Sequence, residues 1–400
     1  MMIIRARPKY LLEEDICTIE DISIIKDADK KDIEDQGFYF NRGSSALKFV
    51  LENLVNYLKK DITVCIQSLN CHTILEAALE VSGVSVLLSD IKVDDFSIPL
   101  NFLEENHNNI DILFLLHYQG LVNSEYDEII SFCKENKIIV IEDLAHVLES
   151  SYDLKGDFGI YSYAFDKPLT SFSGGKVELN YNNSDFYDCF VEEYGKLPFE
   201  SEKNVENDIK LLKYFMHASR ENVFKPNLDN RDFVNALVNT FSENNIVTLL
   251  GNNLSYFVFR LIFKIKNKFL NAGLDSPYEV LRLNYKKIAL INIQYERSMQ
   301  KREDLLILQK NIIERLVGND VVAEIKTDFL WNRISFIPKD VERLPNEVQY
   351  GNFNWPTPLH IMYSDLPNVS LSGDYPNTSF VSKSVVNFPC WSEKILHYLA

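Results

Sequence analysis

The chain has 400 residues, 46% of them hydrophobic and 25% charged, with 41 Lys and Arg against 58 Asp and Glu for a net charge of −17. These are ordinary values for a globular protein with room for a large core, and they exclude wholesale disorder. The negative charge argues against a nucleic-acid or anionic-membrane surface, so positive contacts to any anionic ligand must be local.

The start, MMIIRARPKY, puts Arg5 and Arg7 after a short apolar run, too short for a signal-peptide core. From Arg42 the pattern sharpens. Gly43, Ser44 and Ser45 precede Ala46, Leu47, Val50, Leu51, Leu54, Val55 and Leu58, apolar positions at helical spacing, so a turn opens an amphipathic helix. Free amides at such a start, with hydroxyls beside them, suit a phosphate; either serine could equally be an N-cap.

Alternating strands and helices follow. The spacing predicts strands at 62–66, 84–88, 112–116 and 138–141, with helices at 73–81 and 124–135. That order implies a mostly parallel sheet covered by helices on both faces, with ligands beyond the carboxyl ends of the strands. By that rule His117, Asp143, His146 and the loop carrying Lys167 converge on one crevice. Asp143 follows a β-branched run and could hold a ring nitrogen protonated, or simply cap the next segment.

The stretch from Gly156 to Val177 contains an aromatic strand, 158–165, then Lys167, Pro168 and the pair Gly174-Gly175. Apolar surroundings at a strand end favour the free amine of a lysine, the form that a Schiff base needs. A surface loop lysine is the plain alternative. Beyond it, 186–271 reads as a mostly helical insert with loops at 227–230 and 242–245. Its most lipophilic part, 246–270, is broken by Asn252, Asn253, Arg260, Lys264 and Lys266, which points to packing against the body or a partner subunit rather than a membrane span, with an interfacial helix as the alternative. A long helix is expected over 281–316, and 328–337 with 354–359 suggest a smaller α+β unit. The expected division is a large α/β domain, 1–275, and a small C-terminal domain, 276–400. The six cysteines, Cys17, Cys65, Cys71, Cys133, Cys189 and Cys390, lack metal-like or disulfide-scaffold spacing, which suits a reducing cytoplasm and indicates no metal site.

With these residues assembled, the chain resembles the DegT/DnrJ/StrS-type sugar aminotransferases, pyridoxal-phosphate enzymes of fold type I. Ser162-Tyr163-Ala164-Phe165-Asp166-Lys167 and Gly174-Gly175 keep the spacing of that family's lysine segment and following glycines. Ile141-Glu142-Asp143-Leu144-Ala145-His146 is similar to its acidic segment, and Arg42-Gly43-Ser44-Ser45-Ala46-Leu47 to its phosphate turn. His117-Tyr118-Gln119-Gly120, Arg282 opening a helix, Arg302, Trp355-Pro356, Tyr375-Pro376-Asn377 and Asn387-Phe388-Pro389 are further landmarks.

The resemblance implies pyridoxal 5'-phosphate as cofactor. Lys167 would be its Schiff-base lysine, Asp143 its pyridine-nitrogen partner and His146 a neighbour of its phenolic oxygen, with Gly43, Ser44, Ser45 and Ser162 on its phosphate. It further implies glutamate and a nucleotide-linked keto sugar as substrates, in surface-polysaccharide or deoxyaminosugar biosynthesis, with Arg282 and Arg333 as candidate substrate contacts, and a homodimer. Family members that dehydrate sugars resemble the others but carry histidine at the lysine position, so Lys167 favours transamination.

The chain also departs from the family. Cys71, with His72 beside it, occupies the position of a ring-stacking aromatic, Ala164 replaces a common histidine, and Val280 stands where many members carry asparagine. These departures and the insert keep a cofactor-binding sensor without turnover, or a non-sugar carbonyl acceptor, as alternatives. A dehydrogenase is discounted, because no Gly-x-Gly-x-x-Gly follows the first strand.

Overall fold

The apolar runs read from the sequence become the inner strands of one large sheet. The computed structural model describes residues 10, 11, 15, 37–149, 152–164, 166–206, 208, 209, 212, 279–317, 332–339 and 357–390. The features expected at 227–230, 242–245, 246–270 and Trp355-Pro356 lie outside these residues, as does most of the insert.

In chain order, β1 (Phe38–Phe40) leads into α1 (Gly43–Leu58). Next come β2 (Ile62–Gln67), α2 (His72–Leu79), β3 (Val84–Ser89), α3 (Leu100–Asn106), β4 (Ile112–Leu116), α4 (Tyr126–Glu135) and β5 (Ile139–Asp143). They are followed by β6 (Phe158–Ser162), β7 (Gly175–Leu179) and α5 (Ser184–Lys196). The long helix α6 (Tyr285–Val317) precedes β8 (Arg333–Phe336), α7 (Leu359–Met362), β9 (Val369–Leu371), α8 (Pro376–Ser384) and β10 (Val386–Pro389). Strands β2 to β5 fall within two residues of the expected spans, because unbroken apolar runs are what a doubly covered parallel strand requires, whereas β6 ends at Ser162, short of the expected 158–165.

The eight-stranded sheet has the order β1-β7-β6-β5-β4-β2-β3-β9. Strands β9, β3, β2, β4, β5 and β6 are parallel; β7 returns antiparallel to β6, and β1 pairs antiparallel with β7. One face packs on α1, where Leu47, Val50, Leu51 and Leu54 join Val64, Ile66, Phe114 and Ile141. The other buries Cys65, Leu87, Leu113, Leu115 and Val140 with Leu103, Ile129 and Cys133 from α3 and α4.

The C-terminal residues contribute to both layers of the molecule. Strands β8 and β10 form a separate antiparallel pair. Its Ile334, Phe336 and Phe388 share a core with Leu69, Leu116 and Tyr118 at the carboxyl ends of β2 and β4, while β9 extends the large sheet alongside β3. This seats β8 directly over the mouth of the sheet.

Two glycines set the close approach of β7 and β6 to the start of α1. A Cβ on Gly175 would lie 2.6 Å from Arg42 C and O and from Gly43 N, and one on Gly43 would lie 3.2 Å from Ser162 Cβ. Only glycine brings backbone to backbone at that spacing.

Candidate active site

Strand β6 ends at Ser162, and the chain folds into a closed loop. Tyr163 N donates to Gly174 O at 2.9 Å, Ser171 N to Tyr163 O at 3.1 Å, and Lys167 N to Ala164 O at 3.1 Å. The loop turns Lys167 inward, leaving 14% of its side chain exposed. Its Nζ lies 3.0 Å from His146 Nε2 and 3.9 Å from Asp166 Oδ2.

Asp143 is the last residue of β5 and is buried, with Oδ1 accepting the Ala145 amide at 3.1 Å. Burial pushes its carboxyl above the ordinary range, opposed by that amide and by the positive fields of Lys167 and His117. The Cys71 thiol is likewise raised by burial; the hydroxyl of Thr73, 3.1 Å away, and Lys167 oppose the rise, while Asp143 adds to it. Lys167, Asp143 and Cys71 are therefore near enough to influence one another electrostatically, at the carboxyl-end side of β2, β5 and β6 where such sheets bind ligands. His72 differs from its neighbour: it is exposed at the start of α2.

Against the end of β6, α1 begins. Its N-cap, Arg42, makes no side-chain cap bond, its first turn has no acidic residue, and the first intrahelical bond is Ala46 N to Arg42 O. The amides of Gly43, Ser44 and Ser45 precede that bond and so have no partner within the helix. The Ser45 hydroxyl donates to Glu279 O at 3.0 Å, whereas Ser162 Oγ would lie 3.5 Å from a Cβ on Gly43. A helix start with a hydroxyl beside it suits a phosphate.

Several expectations need correction. His117 turns to the opposite face of the sheet from Asp143: its Nε2 lies 2.8 Å from Glu142 Oε2 and 2.9 Å from Tyr152 OH. The cause is register. Leu116 pairs with Asp143, so His117 is one residue out of phase with it. Arg282 precedes the long helix rather than opening it, bridging Phe40 and Phe199, with its guanidinium 3.9 Å from the Phe199 ring and 5.3 Å from that of Tyr194. Arg333 is buried on β8, 3.6 Å from Asp166 Oδ2 and 3.4 Å from Gln119 Oε1.

Three residues to which the sequence assigns no role join Lys167 and His146. Asp166 is half-buried; burial favours its neutral form, but Lys167 and Arg333 outweigh this and hold its carboxyl below the ordinary range. Gln119 donates its backbone N–H to His146 Nδ1 at 3.2 Å, and Asn332 donates its own N–H to Gln119 O at 2.8 Å. Among the described residues no group of His, Cys, Asp and Glu could hold a metal ion, and no helix is long and apolar enough to cross a membrane.

Residues 35–197, which include the start of α1, Asp143, His146 and Lys167, match the DegT/DnrJ/EryC1/StrS aminotransferase family. The resemblance read from the sequence is borne out over these residues, about two fifths of the chain. A UDP-4-amino-4,6-dideoxy-N-acetyl-beta-L-altrosamine transaminase of Campylobacter jejuni subsp. jejuni is 34% identical over 110 residues, 25% of this chain and 28% of that protein. The match thus spans less than a third of that relative's length. Among solved structures, an E. coli GDP-4-keto-6-deoxy-D-mannose-3-dehydratase with bound hydrated PLP aligns with a TM-score of 0.62 at 15% identity, covering 100% of this chain and 99% of that one. Helicobacter pylori PseC, an aminotransferase of pseudoaminic acid biosynthesis, aligns with a TM-score of 0.61 at 15% identity, covering 100% and 98%. At such identity the likeness carries the fold. The mostly parallel, helix-flanked sheet expected of a type I pyridoxal-phosphate enzyme is the fold observed.

Proposed function

We propose that the protein is a pyridoxal-phosphate-dependent aminotransferase that moves an amino group from glutamate to a nucleotide-linked keto sugar in surface-polysaccharide or deoxyaminosugar biosynthesis. The observation that carries this reading is the meeting of one lysine amine, Lys167, with one buried carboxylate, Asp143, beside the uncapped start of α1. The names of the Campylobacter jejuni relatives support the nucleotide-sugar acceptor. Lysine rather than histidine at position 167 supports transamination over dehydration.

The donor set fits the cofactor. Gly43 leaves open, next to Ser162, the space that a Cβ would fill, and the amides of Gly43, Ser44 and Ser45 are the donors that a phosphate needs. When bound, pyridoxal phosphate supplies the electron sink for amino-group transfer. Asp143, through its negative charge, would favour the protonated form of the cofactor's ring nitrogen. Lys167 would hold the cofactor through its amine and would carry the proton to and from the donor's α-carbon. Cys71 would stand beside the cofactor in place of the aromatic that the resemblance implies, and His146, 3.0 Å from Lys167 Nζ, would hold the lysine amine. Of the two candidate arginines, Arg333 is the better placed for an anionic substrate group, since Arg282 stands on Phe199 and Tyr194. The reading includes a two-fold homodimer, in keeping with the fold, and a cytoplasmic location, in keeping with Cys65, Cys71, Cys133, Cys189 and Cys390 as free thiols.

Borohydride reduction of the cofactor-loaded protein followed by peptide mass spectrometry tests the first half; the adduct is expected on Lys167. Glutamate should then shift the cofactor's absorbance and release 2-oxoglutarate in a single turnover, after which a panel of nucleotide-linked keto sugars identifies the acceptor. An absorbance that neither glutamate nor any other amino donor changes would rule out the aminotransferase and leave a cofactor-binding sensor.

A further inference from the structure

We propose that Gln119 is a positioning residue: its backbone N–H fixes the ring tautomer of His146 and thereby the hydrogen presented to the Lys167 amine. The inference rests on the reading of Lys167 as the reacting amine and extends it to the groups that hold it.

Gln119 has φ 53 and ψ 20, the left-handed region that residues other than glycine adopt uncommonly. Such a backbone persists where its surroundings over-determine it, and here they come from the C-terminal strand β8 and the residue before it. Asn332 N donates to Gln119 O at 2.8 Å, Asn332 Nδ2 to Gln119 Oε1 at 3.3 Å, and Arg333 Nη1 to the same Oε1 at 3.4 Å. From the other side Gly120 N donates to His117 O at 3.0 Å, closing the turn.

In that conformation the Gln119 N–H is aimed at His146 Nδ1, 3.2 Å away. A ring nitrogen that accepts a hydrogen bond carries no hydrogen, so in the neutral ring the hydrogen sits on Nε2. Nε2 is the atom 3.0 Å from Lys167 Nζ. The His146 Nε2 hydrogen therefore faces Lys167 Nζ, the arrangement that an uncharged amine at that position accepts. The opposite tautomer would set two hydrogens against each other between Gln119 and Nδ1.

The contacts close into a ring. From Lys167 they pass to His146, then through Gln119 to Arg333, and Arg333 Nη2 returns to Asp166 Oδ2, beside Lys167 in the chain, at 3.6 Å. The seating of β8 on the sheet is thus what keeps Gln119 left-handed and the His146 hydrogen directed at the amine.

The test uses the full chain, without added cofactor, labelled with 15N on histidine. The His146 resonances are assigned by their loss in His146→Gln. At neutral pH the wild type is expected to show a bare Nδ1 and a hydrogen on Nε2. Gln119→Gly keeps both the N–H and the left-handed backbone, so it should retain that spectrum. Gln119→Val places a β-branched side chain where φ is positive, so it should move His146 toward a tautomer mixture. A wild type with the hydrogen on Nδ1, a doubly protonated ring, or a valine variant that folds and matches the wild type would overturn the proposal. Should the valine variant not fold, the wild-type and glycine spectra decide. The cofactor reading fails separately: an Nε2 hydrogen without any borohydride adduct on Lys167 sinks that reading while leaving the tautomer assignment in place.

Discussion

Gly175→Ala adds a single methyl group at the point where β7 meets the start of α1. The new Cβ would stand 2.6 Å from Arg42 C and O and from Gly43 N. Carbon contacts are most favourable near 3.5 to 4.0 Å, so strand and helix start must separate by roughly 1 Å. The obstructing atoms are main chain and cannot rotate away, which places the cost near the top of the overpacking range, about 3 kcal/mol. That corresponds to roughly a hundredfold loss in the ratio of folded to unfolded protein.

The control is the same change at Gly195, an exposed position near the end of α5 with nothing within 4 Å of its Cβ. There alanine should stabilise by up to about 1 kcal/mol, through helix propensity alone. Urea unfolding followed by circular dichroism reads both, and the two midpoints should move in opposite directions from the wild type. Because the separation displaces the Gly43 amide, Gly175→Ala should also weaken cofactor binding, whereas Gly195→Ala should not. A Gly175→Ala protein that unfolds at the wild-type urea concentration would refute the close approach and the phosphate cradle built on it.

The remaining predictions concern groups around the same sheet. Glu142→Gln should destabilise by about 3–5 kcal/mol at neutral pH, because the buried carboxylate accepts from His117 at 2.8 Å and Tyr126 OH at 2.7 Å, and also from Tyr152 and the Gly156 amide. Burial pushes the Glu142 carboxyl up, but His117 and the tyrosines outweigh this and hold it below the ordinary 4.5. The ionised form therefore contributes stability above that value and loses it as pH falls through the lower folded value. The gap between wild type and variant, measured by denaturation across pH, should shrink on acidification; a constant gap would contradict the assignment. Ser45→Ala, which breaks the bond to Glu279 O, should lower stability by about 0.5–1.5 kcal/mol. Ser162→Ala should instead weaken cofactor binding in a fluorescence titration and leave the urea midpoint in place.

What could be read from the sequence was local. Unbroken runs such as Ile112–Leu116 announce buried strands, and the fixed gap from Lys167 to Gly174-Gly175 marks a loop that must return to the sheet. Inter-strand register is a different kind of information. Nothing in the text near His117 states that Leu116 lies opposite Asp143, so the parity that sends His117 to the Glu142 side could not be deduced. Gln119 escaped notice because positive φ is expected of Gly120 beside it, and the contacts that force it on a glutamine come from Asn332 and Arg333, far along the chain. Asp166 stands within the lysine motif with nothing local to give it a role, since its partner is again Arg333.

The strand β9 fixes when this molecule can finish folding. Residues 369–371 shield the outer hydrogen-bonding edge of β3, which is made near the beginning of the chain. During synthesis on the ribosome that edge therefore remains open to other extended chains until residues 369–371 have emerged. Truncations ending before Val369 should accordingly collect in inclusion bodies even when every residue around Lys167 is retained.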